Sequence, residues 1–115
     1  MDTLPQDATK IELEGATVPF FKYEENNRTI YLFDSSKCSH PEPMVNAMVG
    51  LKTIKDGENL IMINSKAPMG LFPKIEDDFT YEVEELSNQT YKIKFTKKTD
   101  NLSKTDFNDT SCSGS

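Results

Sequence analysis

The sequence has very few of the residues that most often build catalytic, metal and disulfide sites. Its 115 residues include no tryptophan, one histidine (His40) and two cysteines (Cys38 and Cys112). Two cysteines are too few for the disulfide framework of a small secreted domain. Cys38 and His40 are also too few to close a zinc site. We therefore predict no metal, no cofactor and a reduced, cytoplasmic protein.

The sequence is also poor in arginine and has no long apolar run. Arg28 is its single arginine, and the formal net charge is −6. Nucleic-acid binding needs a basic face for phosphate contacts, so this charge argues against DNA or RNA as a partner. A membrane span needs about 18 or more apolar residues in a row, so we predict no membrane partner. The acidic N-terminus is not expected to be a signal peptide.

The apolar pattern that is present predicts one small α+β domain. We expect a flexible lead-in over residues 1–9, a single folded domain over residues 10–98 and a disordered tail over residues 99–115. The domain begins with an N-terminal β-hairpin at residues 10–28. This hairpin is too apolar for a free tail, so it should belong to the folded part.

Beyond this hairpin, strands and helices alternate. Two nearly continuous apolar strands, residues 29–33 and 59–64, flank an amphipathic helix. Such runs indicate burial on both faces and parallel pairing as a βαβ unit. A short helix is expected at residues 70–76. Two alternating strands joined by residues 87–89 then predict a β-hairpin.

The register of this last hairpin follows from keeping its aromatic residues on one face. The apolar pairs that result are Val83–Ile93 and Tyr81–Phe95. The same register places glutamates opposite lysines on the other face of the hairpin. Those charged pairs are Glu84–Lys92 and Glu82–Lys94.

Residues 38–44, Cys-Ser-His-Pro-Glu-Pro-Met, organise the chain because the first helix begins within them. A residue before proline avoids the α region, so we predict His40 as the N-cap and Pro41 as the first helical residue. Ser39 followed by Glu42 also forms a capping-box pattern, which would move the cap one residue back.

The candidate site residues, Cys38 and His40, lie beside this helix start. A helix N-terminus can lower a thiol pKa, so the Cys38 thiolate should be favoured, with Lys37 nearby. His40 could act as an acid–base group, because its unperturbed pKa lies near neutrality. The alternatives are an unreactive loop cysteine and a capping or solvent-facing imidazole. No phosphate loop, Ser–His–Asp set or carboxylate pair accompanies them, so an enzyme is not the favoured hypothesis.

The order strand, helix, strand, short helix, strand, strand resembles the small TusA-like sulfur-carrier fold. In that family a strand ends in Asp, and Cys-Pro-x-Pro opens the first helix after five intervening residues. Here Asp34 is followed by five residues and then His40-Pro41-Glu42-Pro43, so His40 replaces the carrier cysteine. The likeness covers about residues 30–97. Within this family, the sequence most resembles a branch of uncharacterised bacterial domains that also lack this cysteine.

The resemblance implies a two-layer α/β sandwich of βαβαββ order. Its sheet would be mixed and four-stranded, with the hairpin at residues 10–28 as an addition. The function that we predict is that of a non-catalytic, TusA-like module that acts through an unidentified protein partner. The alternative is a sulfur carrier that uses Cys38. An enzyme that uses His40 is a third hypothesis, for which no second catalytic group is visible in the sequence.

Overall fold

The computed structural model describes residues 8–39, 41–86 and 89–98, which form an α+β domain with one sheet and two helices. The strands are β1 (Thr9–Ile11), β2 (Phe20–Glu25), β3 (Arg28–Asp34), β4 (Asn59–Asn64), β5 (Phe79–Leu86) and β6 (Thr90–Lys97). The helices are α1 (Glu42–Thr53) and α2 (Phe72–Ile75). Neither of these described helices combines the length and apolar content needed to cross a bilayer.

The described strands form one mixed sheet in the order β1-β2-β3-β4-β6-β5. The pair β3–β4 is parallel, and the other neighbouring pairs are antiparallel. The parallel pairing predicted for the two apolar strands is therefore confirmed. The predicted register of the last hairpin is also confirmed, because Val83 lies opposite Ile93 and Tyr81 lies opposite Phe95.

The prediction of a four-stranded sheet is wrong, because the described sheet has six strands. The strands of the predicted N-terminal hairpin, β1 and β2, pair antiparallel and join this sheet beside β3. A proline within the strand expected at residues 18–23 predicts an edge or irregular strand, but β2 begins one residue after Pro19. Strand β2 pairs with β3 along its whole length, and its first three residues, Phe20 to Lys22, also pair with β1. Asn26 and Asn27 form the tight turn between β2 and β3 with positive φ angles of 54° and 65°.

One face of the sheet carries both helices and the larger core. The fully or nearly fully buried sheet residues in this core include Phe20, Phe33, Leu60, Met62, Ile93 and Phe95. The helices and the residue before α2 contribute Met44, Ala47, Met48, Leu51, Leu71, Phe72 and Ile75. Apolar residues at helical spacing on α1 therefore pack into the core, as expected from the sequence.

The opposite face of the sheet carries a second apolar cluster. Its buried members are Tyr23, Ile30, Leu32, Ile61 and Ile63. Ala8 and Leu86 pack against this cluster among the described residues. The two central strands, β3 and β4, thus bury side chains on both faces, as their continuous apolar runs predicted.

Helix α1 begins one residue later than predicted. Pro41 is the N-cap, with φ −99° and ψ 13°, and makes no side-chain cap bond. The N–H of Glu42 instead donates to the Ser39 carbonyl at 2.9 Å, so a turn precedes the helix. Ser39 therefore contributes its backbone there and not the side chain of a capping box. His40 lies outside the described residues.

The other helix boundaries also differ from expectation. The Asp56-Gly57 pair in the sequence is a signal for the end of a helix, but α1 ends earlier, at Thr53, because Ile54 is already extended, with φ −71° and ψ 148°. This conformation lets the Ile54 side chain enter the core. Helix α2 is shorter than the predicted 70–76. Residues 1–7 of the expected lead-in and the whole expected tail, 99–115, lie outside the described residues.

A buried asparagine ties the loop between β1 and β2 to α1. Asn46 is fully buried and accepts the N–H of Thr17 at 2.8 Å through Oδ1. Its Nδ2 donates to the Thr17 hydroxyl and to the Glu42 carbonyl, each at 2.8 Å. The Thr17 hydroxyl in turn donates to the Glu42 carboxylate at 2.9 Å. The first turn of α1 is therefore held by the N-terminal part of the chain.

The position of β2 predicts that truncating its core side chain, Phe20, lowers the stability of the fold substantially. Phe20 is fully buried and stacks on Phe33 with 4.8 Å between ring centroids. We expect Phe20→Ala to lower the free energy of unfolding by about 3–5 kcal/mol, measured by urea denaturation. Phe21→Ala is the matched control, because Phe21 points to the other face and is half-buried. Equal losses in the two variants would contradict this packing.

Candidate functional site

The candidate site lies at one end of the sheet, where β3 and β4 finish side by side. Their parallel register pairs Asp34 with Ile63, so the loops that follow the two strands leave the sheet together. The first of these loops leads directly into α1. In sheets with parallel strands, ligands bind outside the carboxyl ends of the strands, beside helix N-termini. The topology therefore marks this end as the place to look for a site.

A cavity of about 260 Å³ opens between these two loops and α1. Its lining residues are Cys38, Ser39, Pro43, Met44, Asn64, Ser65, Lys66 and Pro68. Pro43, Met44 and Pro68 form an apolar wall, whereas Ser39, Ser65 and Lys66 are exposed at the rim. The volume is just below the roughly 300–1,000 Å³ of sites for drug-sized ligands. The cavity suits a small molecule or one apolar side chain.

Two buried polar residues hold the loops around this cavity. The Ser35 N–H donates to the Ile63 carbonyl at 2.8 Å. The Ser35 hydroxyl lies 3.1 Å from Asn64 Oδ1, within hydrogen-bond distance. Asn64 Nδ2 donates to the Lys66 carbonyl at 3.0 Å. The loop after β3 is thereby joined to the loop after β4, which gives the cavity a preformed wall.

Cys38 lines the cavity as a half-buried thiol in the loop before α1. Its N–H donates to the Ser35 carbonyl at 2.9 Å. Burial raises the pKa of the Cys38 thiol above its ordinary value, and the nearby Glu42 and Asp34 carboxylates raise this pKa further. Both causes favour the neutral form, because each disfavours a second negative charge. Cys38 is therefore a neutral thiol at neutral pH.

The prediction that the helix start favours the Cys38 thiolate is thus wrong. Pro43 lacks an N–H, and Glu42 adds a negative charge in the first turn, so the helix start gives a thiolate little electrostatic stabilisation.

His40, the second candidate site residue, lies outside the described residues, so the structure gives no distance between it and Cys38. Among the residues that are described, no group of three or more His, Cys, Asp or Glu side chains could hold a metal ion.

The sequence pattern did not point to most of the cavity wall. The candidate site residues predicted from the sequence, Cys38 and His40, do not include Met44, Asn64, Lys66 or Pro68. One sequence feature could have indicated part of this wall, because polar residues that follow a buried parallel strand lie where ligands bind. The arrangement combines an apolar wall, a neutral thiol and an exposed ammonium group. It is suited to holding a small apolar group and offers no acid–base pair among the described residues.

Comparison with known families gives one match. A family model described as "Uncharacterized conserved protein (DUF2249)" matches residues 33–97. This is more than half of the chain, and it runs from the end of β3 to the end of β6. The match includes every residue that lines the cavity. No curated protein and no solved structure matches the chain.

The raised pKa of Cys38 predicts slow alkylation at neutral pH. In a Cys112→Ser variant, the rate of Cys38 alkylation by iodoacetamide should reach half its maximum above the pH of about 8.5 expected for a free cysteine. Adding Glu42→Gln should move this midpoint down, because one neighbouring negative charge is removed. Glu24→Gln, on the distant β2, is the matched control and should leave the midpoint unchanged. A wild-type midpoint below that of a free cysteine peptide would contradict this assignment.

Proposed function

This chain belongs to the DUF2249 family of uncharacterized conserved proteins, and from that premise we propose that it is a non-catalytic module that binds a protein partner. The partner docks an apolar side chain into the cavity beside the start of α1. The observation that carries the proposal is the preformed apolar wall of this cavity, next to a thiol that is neutral at neutral pH. Such a site is suited to binding an apolar group and offers few functional groups for catalysis.

The surroundings of the cavity support a protein as the ligand. Protein interfaces combine an apolar centre with a polar rim. Here the apolar wall is bordered by the exposed Ser39, Ser65 and Lys66. Met69, which follows the cavity-lining Pro68, has 62% of its surface exposed and extends the apolar area beyond the cavity. Lys66 suits a carboxylate on the partner beside its apolar anchor.

The proposal includes a TusA-like arrangement and a cytoplasmic location. The element order from β3 to β6 is strand, helix, strand, helix, strand, strand, which supports the likeness. Strands β1 and β2 are then additions that widen the sheet. A cytoplasmic location is supported by the cysteine content, which is too low for the disulfide framework of a small secreted domain.

The test fills the cavity and measures partner binding. Ser65→Trp places a large ring at the rim from an exposed position, so the fold should tolerate it. Immobilised wild type should retain a partner from an extract of the cells that make this protein. Ser65→Trp should weaken this binding at least about 30-fold, because burial of an anchor residue contributes about 2 kcal/mol or more. Thr9→Trp, on an exposed site of β1 outside both the cavity and β5, is the matched control. Equal retention by both variants would exclude the cavity as the docking site.

A second candidate function, a sulfur carrier, is favoured by the placement of Cys38 in the cavity wall. In that reaction the Cys38 thiolate attacks the outer sulfur of a persulfide donor, R–S–SH. The donor's S–S bond breaks, R–S⁻ leaves, and Cys38 becomes a persulfide. The raised pKa of Cys38 slows this step, because only the thiolate attacks.

Mass spectrometry after incubation with a persulfide donor separates the two functions. A carrier would gain the mass of one sulfur atom on Cys38 in the Cys112→Ser variant. The Cys38→Ser variant is the control and should gain nothing at residue 38. We expect Cys38 to stay unmodified under conditions that load a known carrier. Stable loading of Cys38 would instead favour the carrier.

A further inference from the structure

The outer edge of β5 is a second surface suited to binding. Strand β5 ends the sheet, and no strand lies beside its outer edge within the described residues. An edge strand presents backbone N–H and C=O groups that can pair with another chain. The opposite edge, β1, has only three residues, whereas β5 has eight. Its residues from Thr80 to Glu85 are all exposed.

Strand β5 lacks several features that protect edge strands from added chains. Its sequence, FTYEVEEL, contains no proline, glycine or lysine. Tyr81 is 38% exposed and Val83 is 44% exposed, and they lie on the same face of the strand. The Tyr81 ring stacks on Phe72 with 3.9 Å between centroids and 6° between planes. This edge is therefore a long, ordered strand with an exposed apolar side.

The inner neighbour of β5 shows which side chains are compatible with it. On the face that carries the helices, Val83 and Tyr81 lie opposite apolar residues of β6. On the other face, Glu82 and Glu84 lie opposite lysines. The β6 partners of these four residues are Ile93 for Val83, Phe95 for Tyr81, Lys94 for Glu82 and Lys92 for Glu84. A strand that alternates apolar and basic residues therefore complements β5 on both faces.

We propose that the outer edge of β5 binds an extended segment of a partner protein that alternates apolar and basic side chains. The segment adds to the sheet as a further strand, with backbone hydrogen bonds for affinity and charge for specificity. Its apolar residues lie beside Tyr81 and Val83, and its basic residues lie beside Glu82 and Glu84. This surface is on β5, away from the cavity, and the inference does not depend on the cavity's function.

Charge complementarity distinguishes this occupant from a second copy of the chain. Two β5 strands paired with each other would place glutamates beside glutamates, because Glu82, Glu84 and Glu85 occupy three of four consecutive positions. Like charges directly opposite each other in a sheet are destabilising. The exposed Glu76 and Asp77, just before β5, add further negative charge to this edge. A basic segment is therefore preferred over self-pairing.

The probe for this surface is a fluorescein-labelled peptide with the sequence of residues 90–97, Thr-Tyr-Lys-Ile-Lys-Phe-Thr-Lys. Fluorescence anisotropy should show saturable binding to the full chain. Glu82→Gln with Glu84→Gln should weaken this binding by about 2- to 30-fold, because two cross-strand charge pairs are lost. Glu24→Gln with Glu25→Gln removes the same charge from exposed positions of β2 and is the matched control. It should leave binding unchanged.

Two further measurements test the mode of binding. A peptide with glutamate in place of its first two lysines should not bind. The wild-type peptide should slow hydrogen exchange at alternate backbone amides of β5, as a paired strand requires. Absence of binding, binding without this protection, or equal binding of the glutamate peptide would each overturn the proposal.

Other occupants of the edge give different results. If the peptide binds only after deletion of residues 99–115, the chain's own C-terminal segment occupies the edge, and the proposal is wrong. A dimer in solution that Val83→Lys converts to a monomer would identify a second copy as the occupant and also overturn it. Ser65→Trp should leave peptide binding unchanged, which separates this test from that of the cavity.

Discussion

The parallel pairing of β3 with β4 is the interaction on which the rest of the structure depends. A parallel pair needs a crossover, and α1 supplies it on the face of the larger core. The helix lies very close to the sheet at Gly50, where an added Cβ would be 2.7 Å from the Leu60 side chain and 3.0 Å from Phe20. Because Phe20 belongs to β2, this close approach also joins the N-terminal strands to the central pair.

The same pairing creates the cavity and determines the chemistry of its thiol. The loops after β3 and β4 meet because their strands end together, and Ser35 and Asn64 join them. Cys38 is thereby brought into a half-buried position close to Asp34 and Glu42. Negative charge near a half-buried thiol keeps it protonated, which disfavours nucleophilic attack because the thiolate is the attacking form. At the edge of the sheet, β5 carries negative charge from Glu82, Glu84 and Glu85.

Much of the fold could be predicted from the sequence, because the patterns concerned are local. The period-two alternation of Tyr81 and Val83 with glutamates, matched against β6, determined the hairpin register. The continuous apolar runs of β3 and β4 indicated strands buried on both faces, which led to the parallel pair. The apolar spacing from Met44 onward predicts the buried face of α1. The Asn26-Asn27 pair is a turn signal, because asparagine tolerates the positive φ angles found before β3.

The tertiary structure alone decided the extent of the sheet, the cavity and the state of the thiol. Local pattern placed Pro19 within a strand and suggested an edge, whereas the partners of β2 are set by contacts across the sheet. Half of the residues that line the cavity come from the end of β4 and the loop after it, which are distant in sequence from Cys38. The pKa of Cys38 depends on its burial and on its distances to Asp34 and Glu42. Residue spacing along the chain does not determine burial or through-space distance, because both arise only when separate elements pack together.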